Sequence, residues 1–301
     1  MDKAEKIWMD GKFNDWDNAK IHILNQTTHY GAGVFEGIRC YSTKNGPAVF
    51  RLKEHIDRLF NSAETMLLEI PCSKDEIIKA VKETVRVNKL ESAYIRPLVY
   101  LGYGEMGLNI KKSPVRVSIA AFPWGKYLGE EGMLKGIKVK ISKYKRAIDP
   151  ITNAKICGNY VKSILAKMDA LNTDYEEAIL LDEHDNVAEG SGENIFIVEK
   201  GILRTPRLSA VLPGITRASV FEIASSLHLE CKEDDISKEE LLKADEVFLT
   251  GTAAEITPVS YIDDNVIGEG QTGPITKQIQ DKFFKIVAGE DKKFENWLDY
   301  I

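Results

Sequence analysis

Cysteine is scarce in this sequence, and the few thiols lie far apart. The 301 residues include four cysteines, Cys40, Cys72, Cys157 and Cys231, and none of them belongs to a Cys-x-x-Cys pair. This spacing excludes the common zinc patterns and a disulfide-stapled scaffold. We therefore expect reduced thiols in a cytoplasmic protein that has no metal site.

Long apolar runs and an excess of positive charge are also missing. No run approaches the roughly 18 apolar residues that a membrane-spanning helix needs. The opening MDKAEKIWMDGKFNDW is too charged for a secretory signal. The chain carries 40 Lys and Arg against 46 Asp and Glu, which gives a net charge of −6. Because nucleic acids and anionic lipids attract basic surfaces, we expect neither of them as a partner.

The remaining composition is typical of a globular protein large enough for two domains. Apolar residues make up 44% of the chain and charged residues 29%, both ordinary values. Segment 123–136 contains Pro123 and four glycines and has no sustained apolar period, which is typical of an interdomain loop. We therefore predict a mixed α+β fold with a smaller domain over 1–122 and a larger one over 137–301.

Both predicted domains mix helices with strands. Apolar spacing and capping residues predict helices over 52–68, 74–88, 215–229 and 274–289, and strands over 93–101 and 115–122. A further helix after Tyr160 would carry an apolar stripe of Val161, Ile164, Leu165 and Met168.

One motif suggests a nucleotide-binding dehydrogenase, but its context is wrong. GYGEMG (102–107) matches the dinucleotide pattern G-x-G-x-x-G and follows a predicted strand. That pattern needs a helix directly after it, because the helix N-terminus binds the pyrophosphate. Pro114 arrives too soon for such a helix. We therefore interpret the motif as a flexible glycine-rich loop near a site.

Four other segments combine small residues with polar groups in turn settings. They are TNAKICGNYVKSI (152–164), EGSGENIF (189–196), LPGITR (212–217) and TGTAAE (250–255). Such turns aim backbone N–H groups outward, which suits an anion, and a helix start suits a phosphate in particular. Each segment taken alone is equally compatible with an ordinary turn.

Taken in order, six motifs resemble a branched-chain amino acid aminotransferase. They are HYGAGVFEGIR, YIRPL, NAKICGNY, EGSGENIF, LPGITR and GTAAEITPV. The resemblance runs from about residue 7 to the last predicted helix. It implies the two-domain fold type IV of pyridoxal 5'-phosphate enzymes, with a small N-terminal α/β domain and a larger C-terminal pseudo-barrel. The implied reaction exchanges the amino group of L-leucine, L-isoleucine or L-valine with 2-oxoglutarate. D-amino acid aminotransferases and aminodeoxychorismate lyases share the general layout and remain the alternative.

The resemblance implies a cofactor role for three side chains. Lys155 matches the lysine that forms the Schiff base, Glu189 the acid facing the pyridine nitrogen, and Tyr160 the phenol at the 3'-oxygen. An amine must be neutral to attack an aldehyde, and apolar neighbours favour the neutral form. Lys155 and Tyr160 cannot both aim at one ring from a regular helix, so a turn at Gly158-Asn159 is expected. Glu189 is also compatible with a solvated turn and Tyr160 with a core position.

The resemblance also implies how the phosphate and the substrates are bound. The phosphate would contact Arg58, Ile215, Thr216 and Thr252, although Arg58 has the alternative of an i,i+4 pair with Glu54. The implied substrate residues are Tyr30, Phe35, Tyr94 and Tyr127 for the aliphatic side chain, Arg96 for the distal carboxylate of glutamate, and Thr252 and Ala253 for the α-carboxylate. Tyr30 and Phe35 are equally compatible with plain core positions, and Arg96 with a structural salt bridge. Members of the family form homodimers or larger assemblies of dimers in which a neighbouring subunit completes the pocket.

Overall fold

The computed structural model describes residues 2–125 and 127–301, so Lys126 of the predicted interdomain loop lies outside the described residues. The chain forms two compact units. The first unit comprises the residues up to 124 together with 154–159 and 286–301, and the second comprises 125–153 and 160–285. The predicted domains were continuous along the chain, whereas the first unit recruits two later segments.

The first unit is one antiparallel sheet with helices packed on it. Its strands are β1 (Lys6–Met9), β2 (Lys12–Asp15), β3 (Gly33–Phe35), β4 (Ile38–Thr43), β5 (Gly46–Phe50), β6 (Ala93–Leu101), β7 (Val115–Phe122) and β17 (Leu298–Tyr300). Its helices are α1 (Gln26–Tyr30), α2 (Leu52–Thr65) and α3 (Lys74–Val87). Among the described residues the strand order is β17-β5-β4-β6-β7-β1-β2, with β3 paired to β6.

Helices α2 and α3 confirm two of the predicted helices. Ser73 and Glu76 form the capping box at the start of α3, each side chain accepting from the other residue's backbone N–H. Helix α2 ends three residues before the predicted position, and Leu67 just beyond it adopts a positive φ of 55°, which stops a right-handed helix. The apolar faces of both helices enter the core that also contains Val99 and Ile119 of the sheet.

Residues 154–159 belong to the first unit because their backbone pairs with it. The N–H of Phe35 donates to the carbonyl of Lys155 at 3.1 Å, and the N–H of Gly158 donates to that of Gly31 at 3.1 Å. Gly31 has a φ of 67°, and a Cβ on it would lie 2.7 Å from the Cα of Gly158, so a glycine is required there. No local sequence pattern signals this pairing, and the contiguous domain prediction missed it.

The second unit is built around a larger mixed sheet. Its strands are β8 (Ile137–Lys145), β9 (Glu177–Leu181), β10 (Val187–Gly190), β11 (Asn194–Glu199), β12 (Ile202–Pro206), β13 (Cys231–Asp234), β14 (Glu246–Gly251), β15 (Glu255–Ile262) and β16 (Asn265–Val266). Its helices are α4 (Gly129–Lys135), α5 (Tyr160–Leu171), α6 (Ile215–Ser226), α7 (Lys238–Leu242) and α8 (Pro274–Val287), whose last two residues belong to the first unit. Among the described residues the strand order is β10-β9-β8-β15-β14-β11-β12-β13, with β16 on β15. The pairs β8–β9, β8–β15 and β12–β13 are parallel, and the other pairs are antiparallel.

Two helices of the second unit differ from the sequence-based expectations. Part of the predicted interdomain loop folds as α4, where Met133 is buried and Gly136 ends the helix with a φ of 89°. The apolar stripe predicted on α5 exists, but it faces outward in this chain. Val161 is 60% exposed and Ile164 59%, whereas Ala166 and Ala170 contact the core. Within residues 2–125 and 127–301, no helix is both long and apolar enough to cross a membrane.

Candidate active site

Lys155 lies in an irregular segment that holds its backbone rigidly. A 3-10 turn over Pro150–Asn153 precedes the lysine, and another over Cys157–Asn159 follows it, before α5 begins at Tyr160. The expected turn at Gly158-Asn159 is therefore confirmed. The N–H of Lys155 donates to Ser62 Oγ on α2 at 3.0 Å. Together with the bond to Phe35, this contact fixes the lysine backbone from both sides.

The Lys155 amine is in a setting that favours its neutral form. Its side chain is partly accessible, yet burial lowers the pKa of the amine to about 8 from an ordinary value of 10.5. Arg58 and Arg96 lower the pKa further, whereas Glu36 and Tyr94 oppose them. The sequence-based expectation of a lysine that loses its proton readily is therefore supported by the geometry.

The ring of Phe35 is close to both the lysine and the arginine that is predicted to bind substrate. Its ring centroid is 4.8 Å from Lys155 Nζ and also 4.8 Å from Arg96 Cζ, both within the range of a cation–π contact. Arg96 Cζ is 5.4 Å from the ring of Tyr94, its neighbour on the same face of β6. Gly37 is required beside this cluster, because a Cβ there would collide with the Tyr94 hydroxyl. Three of the predicted substrate residues thus lie together with Lys155.

The other predicted pocket aromatics are largely exposed. Tyr30 ends α1 and is 48% exposed, so the alternative of a plain core aromatic is wrong for it. Tyr127 of the second unit is 41% exposed, and Lys167 Nζ lies 5.3 Å from its ring centroid.

Arg58 is held by a partner that the sequence did not reveal. Its Nε donates to Glu36 Oε1 at 2.6 Å and its Nη2 to Glu36 Oε2 at 2.9 Å. Glu54, the alternative partner considered from the sequence, accepts from Arg51 Nε at 2.7 Å. His55 Nδ1 lies 2.7 Å from Glu36 Oε2. Glu36 and His55 have no sequence signal of their own, because 19 residues separate them along the chain.

Glu36 and His55 are both buried and perturb each other. Burial alone would raise the pKa of Glu36, but the charges and hydrogen bonds of Arg58 and His55 hold it well below its usual range. Burial lowers the pKa of His55, and Glu36 only partly opposes this effect. Glu36 is therefore an ionised carboxylate inside the core of the first unit.

Glu189 of the second unit is a buried carboxylate, so its alternative as a solvated turn residue is wrong. It lies on β10, and its Oε1 accepts from Arg146 Nη2 at 2.7 Å. Its Oε2 accepts from the N–H of Leu212 at 3.0 Å and from Asn194 Nδ2 at 3.5 Å. Arg146 was not anticipated, because it lies more than 40 residues upstream of Glu189 in the sequence.

A second buried acid, Glu193, lies in the same motif and was also missed. Its Oε2 accepts from the N–H of Gly192 at 3.0 Å. Burial, followed by the nearby charge of Glu177, raises the pKa of Glu193 to about 8. Glu177 itself accepts from Lys167 Nζ at 2.7 Å. Glu193 is therefore expected to keep its proton at neutral pH.

Three of the turn motifs of the second unit converge around these acids. Asn194 Nδ2 donates to the carbonyl of Leu212 at 2.9 Å, which joins EGSGENIF to LPGITR. A Cβ on Gly251 would lie 3.6 Å from Glu193 Cγ, which places TGTAAE beside the same motif. Ile215 and Thr216 open α6 after Gly214, with no side-chain cap and no acid in the first turn. The N–H groups of such a helix start favour an anion.

The remaining predicted residues of the second unit lie in a turn and at a helix start. Thr252 and Ala253 form the half-buried turn between β14 and β15, and Tyr160 is the first residue of α5. Within the part of the chain that the structure describes, no group of three or more His, Cys, Asp or Glu side chains is arranged to hold a metal ion.

Comparison with known proteins agrees with the presence of Lys155 and the buried acids. A family model described as amino-transferase class IV matches residues 33–262. The chain belongs to this family. The class IV aminotransferases that it resembles include the branched-chain-amino-acid aminotransferase of Pseudomonas aeruginosa, 46% identical over 298 residues, 98% of this chain and 97% of that protein. The enzyme of the same name from Escherichia coli K12 is 45% identical over 303 residues, 99% of this chain and 98% of that protein.

Solved structures of class IV aminotransferases share the fold. The crystal structure of Escherichia coli branched-chain amino acid aminotransferase gives a TM-score of 0.96 at 45% identity and covers 99% of both chains. The T.th. branched-chain amino acid aminotransferase with pyridoxamine 5'-phosphate gives 0.96 at 46% identity, again with 99% of both chains covered. The predicted fold type IV architecture is thereby confirmed.

Proposed function

We propose that this chain is a pyridoxal 5'-phosphate-dependent aminotransferase acting on L-leucine, L-isoleucine and L-valine with 2-oxoglutarate, giving the branched-chain 2-oxo acids and L-glutamate. The observation that carries the proposal is the Lys155 amine, whose pKa is lowered to about 8 within the range that the class IV family model matches. The names of the relatives support the choice of substrates.

The donor set fits the cofactor. A lysine with a lowered pKa suits an aldehyde, and Glu189, a buried acid that is paired with Arg146, suits a protonated pyridine nitrogen. Arg58, the N–H groups of Ile215 and Thr216 and the hydroxyl of Thr252 suit a phosphate. Tyr160 would donate to the 3'-oxygen. When bound, the cofactor supplies an electron sink for the negative charge left on the substrate α-carbon.

The chain's own side chains would manage the protons. Lys155 Nζ, neutral in a sizeable fraction of molecules near pH 8, would take the proton from the substrate α-carbon and deliver it to the cofactor C4' carbon, on the other side of the substrate nitrogen. Arg146, Asn194 and the N–H of Leu212 fix the Glu189 carboxylate, so its charge faces a constant direction. This arrangement provides the preorganised electrostatics that such a proton transfer needs.

Substrate selection would rest on an apolar wall with one cation. The proposed wall consists of Tyr30, Phe35, Tyr94 and Tyr127. Arg96 Cζ lies over the rings of Phe35 and Tyr94, so a guanidinium is available to a distal carboxylate without displacing the aromatic surface. Thr252 and Ala253 would bind the α-carboxylate through backbone N–H groups.

Self-association is part of the proposal. The outward stripe of α5 exposes Val161, Ile164, Leu165, Met168 and Leu171, and contiguous apolar surface of this kind marks an interface. We infer a homodimer or an assembly of dimers with a shared pocket. Analytical sedimentation tests this inference: the wild-type protein should sediment as a dimer or larger assembly, and Ile164→Lys should weaken that assembly. The free thiols of Cys40, Cys72, Cys157 and Cys231 support a cytoplasmic location.

The proposed function is tested by absorbance and by an amino-donor panel. Protein purified with pyridoxal 5'-phosphate should show a visible absorbance band, and Lys155→Ala should lose that band and all but a trace of transamination. The donors are the L and D forms of leucine, isoleucine, valine and alanine with 2-oxoglutarate. Preference for the branched L-amino acids is expected. Preference for D-amino acids, or release of product without an amino acceptor, would replace the proposal with a D-amino acid aminotransferase or a lyase.

A further inference from the structure

Glu36 is surrounded by more donors than a simple ion pair requires. Its Oε1 accepts from Arg58 Nε, and its Oε2 accepts from Arg58 Nη2, from His55 Nδ1 and from the N–H of Gly37 at 3.2 Å. Because the carboxylate is ionised and can only accept, the proton of the neutral His55 ring must lie on Nδ1. The carboxylate is therefore locked in one orientation by four contacts.

His55 and Arg58 reach this carboxylate from the same helix. They are three residues apart on α2, so they project from one face of it over a single turn. Glu36 follows β3 directly, one residue after Phe35. The loop after the strand and the face of the helix are thus joined through Glu36, close to the ring that contacts Lys155.

The contacts to Glu36 occupy one edge of the Arg58 guanidinium. Nε and Nη2 donate in parallel, which fixes both the plane of the group and its rotation. The other edge of the planar fork, formed by Nη1 and the second N–H of Nη2, then points in a defined direction. An anion that binds the guanidinium would meet a group of fixed orientation, rather than a mobile side chain.

We propose that Glu36 and His55 are positioning residues of the cofactor site: Glu36 holds one edge of Arg58 so that the other edge binds the phosphate of the cofactor, and His55 holds Glu36. This inference rests on the proposed function. It extends the site to two residues that touch neither the phosphate nor the reacting atoms.

Glu36 has a second effect, on the charge around Lys155. The charged and titratable groups that act on the Lys155 amine are Arg58, Glu36, Tyr94 and Arg96, and the charge of Lys155 acts in turn on His55. Glu36 is the carboxylate among them. Loss of its charge would leave two guanidinium groups opposing protonation of the amine. This effect provides an independent measure of the Glu36 charge, and the phosphate dependence of ligand binding separates the two roles.

The competing explanation is that Glu36 and Arg58 only stabilise the first unit. Removal of one member of a buried pair is destabilising wherever the pair lies, so a loss of stability alone decides nothing. The two explanations differ in their ligand dependence. If Glu36 positions Arg58, loss of Glu36 should weaken binding of a ligand that carries a phosphate, and it should leave binding of the same ligand without the phosphate unchanged.

The experiment compares pyridoxal 5'-phosphate with pyridoxal on the full chain. The variants are Glu36→Gln, His55→Leu, and His55→Asn, which keeps a donor near the Nδ1 position. Glu54→Gln is the matched control, because it removes the carboxylate partner of another arginine at the N-terminal end of α2. Dissociation constants come from absorbance titrations of cofactor-free protein, and the Lys155 pKa comes from the pH dependence of its chemical labelling, followed by peptide mass spectrometry.

Glu36→Gln should weaken binding of pyridoxal 5'-phosphate about tenfold or more, the size that supporting residues reach at metal sites, and change binding of pyridoxal less than about twofold. It should also lower the pKa of Lys155. His55→Leu should follow Glu36→Gln, whereas His55→Asn and Glu54→Gln should resemble the wild type. If Glu36→Gln fails to fold, the comparison of His55→Leu with His55→Asn decides between the two explanations.

The outcomes separate this inference from the proposed function. A wild-type protein that does not prefer the phosphorylated ligand would overturn the proposed function and the inference with it. A wild type that prefers it, combined with variants that keep the same preference, would overturn the inference alone. Equal weakening of both ligands in Glu36→Gln and His55→Leu would assign the cluster to stability.

Discussion

The lowered pKa of Lys155 predicts that the lysine destabilises the cofactor-free protein. An amine that is harder to protonate in the folded state than in the unfolded chain costs folding free energy while both states are protonated. The pKa falls from 10.5 to about 8, which at about 1.4 kcal/mol per tenfold sets an upper bound of about 3 kcal/mol. Because the side chain is partly accessible, we discount this to about 2 kcal/mol.

Lys155→Met tests this cost, since methionine has a similar length and no charge. The sign follows from the protons that each state binds. Between pH 8 and 10.5 the unfolded chain holds the lysine proton and the folded protein has lost it, so wild-type stability rises with pH. The higher free energy of unfolding of Lys155→Met, relative to the wild type, should therefore be fully present below about pH 8 and vanish above about pH 10.5.

Thermal unfolding of cofactor-free protein, followed by circular dichroism, measures the effect. At about 2–4 °C per kcal/mol for a unit of this size, Lys155→Met should melt roughly 4–8 °C above the wild type at pH 7. Lys53→Met is the control, because Lys53 is an exposed lysine of α2, and it should match the wild type at each pH. If Lys155→Met does not melt above the wild type at pH 7, or still melts above it beyond about pH 10.5, the reasoning is refuted.

Three further predictions concern the other charged groups. Glu189→Gln should still bind pyridoxal 5'-phosphate but lower kcat about a hundredfold or more, since one fixed charge is lost at the site; unchanged turnover would make Glu189 a structural residue. Arg96→Ala should reduce kcat/KM for glutamate roughly a hundredfold more than for leucine in stopped-flow half-reactions, as loss of a charge partner costs a few kcal/mol; equal losses would place the distal carboxylate elsewhere. Glu193→Gln should melt above the wild type by a margin that grows from about pH 4.5 to about pH 8, because folded Glu193 keeps a proton that the unfolded chain releases; a constant margin would show that Glu193 is ionised.

Local patterns predicted the helices well because their signals lie within a few residues. The capping box of Ser73 and Glu76 and the apolar stripe of α2 are examples, since each arises from i, i+3 and i, i+4 neighbours. The stripe of α5 was equally visible, but a pattern of apolar residues does not say which surface covers it. The sequence of one chain therefore could not predict that Ile164 faces outward.

The candidate site was predictable where a motif names the residue, and not where distant residues support it. Lys155 and Glu189 stand in short ordered motifs. Arg146, which holds Glu189, and Glu36, which holds Arg58, come from other elements. Only tertiary pairing brings His55 within 2.7 Å of Glu36. Sheet register and long-range pairing are set by the whole core, so a single sequence carries little information about them.

The glycine contact between Gly31 and Gly158 has a consequence for engineering the substrate range. The position of Lys155 depends on main-chain bonds from neighbouring segments, so a side-chain library at the half-buried Cys157 should leave the amine in place. Randomising Gly31 would not, because a methyl group there displaces the segment that carries the lysine. A directed-evolution library over 29–37 that holds Gly31 and Gly37 constant should therefore return a much larger share of active clones than one that varies all nine positions.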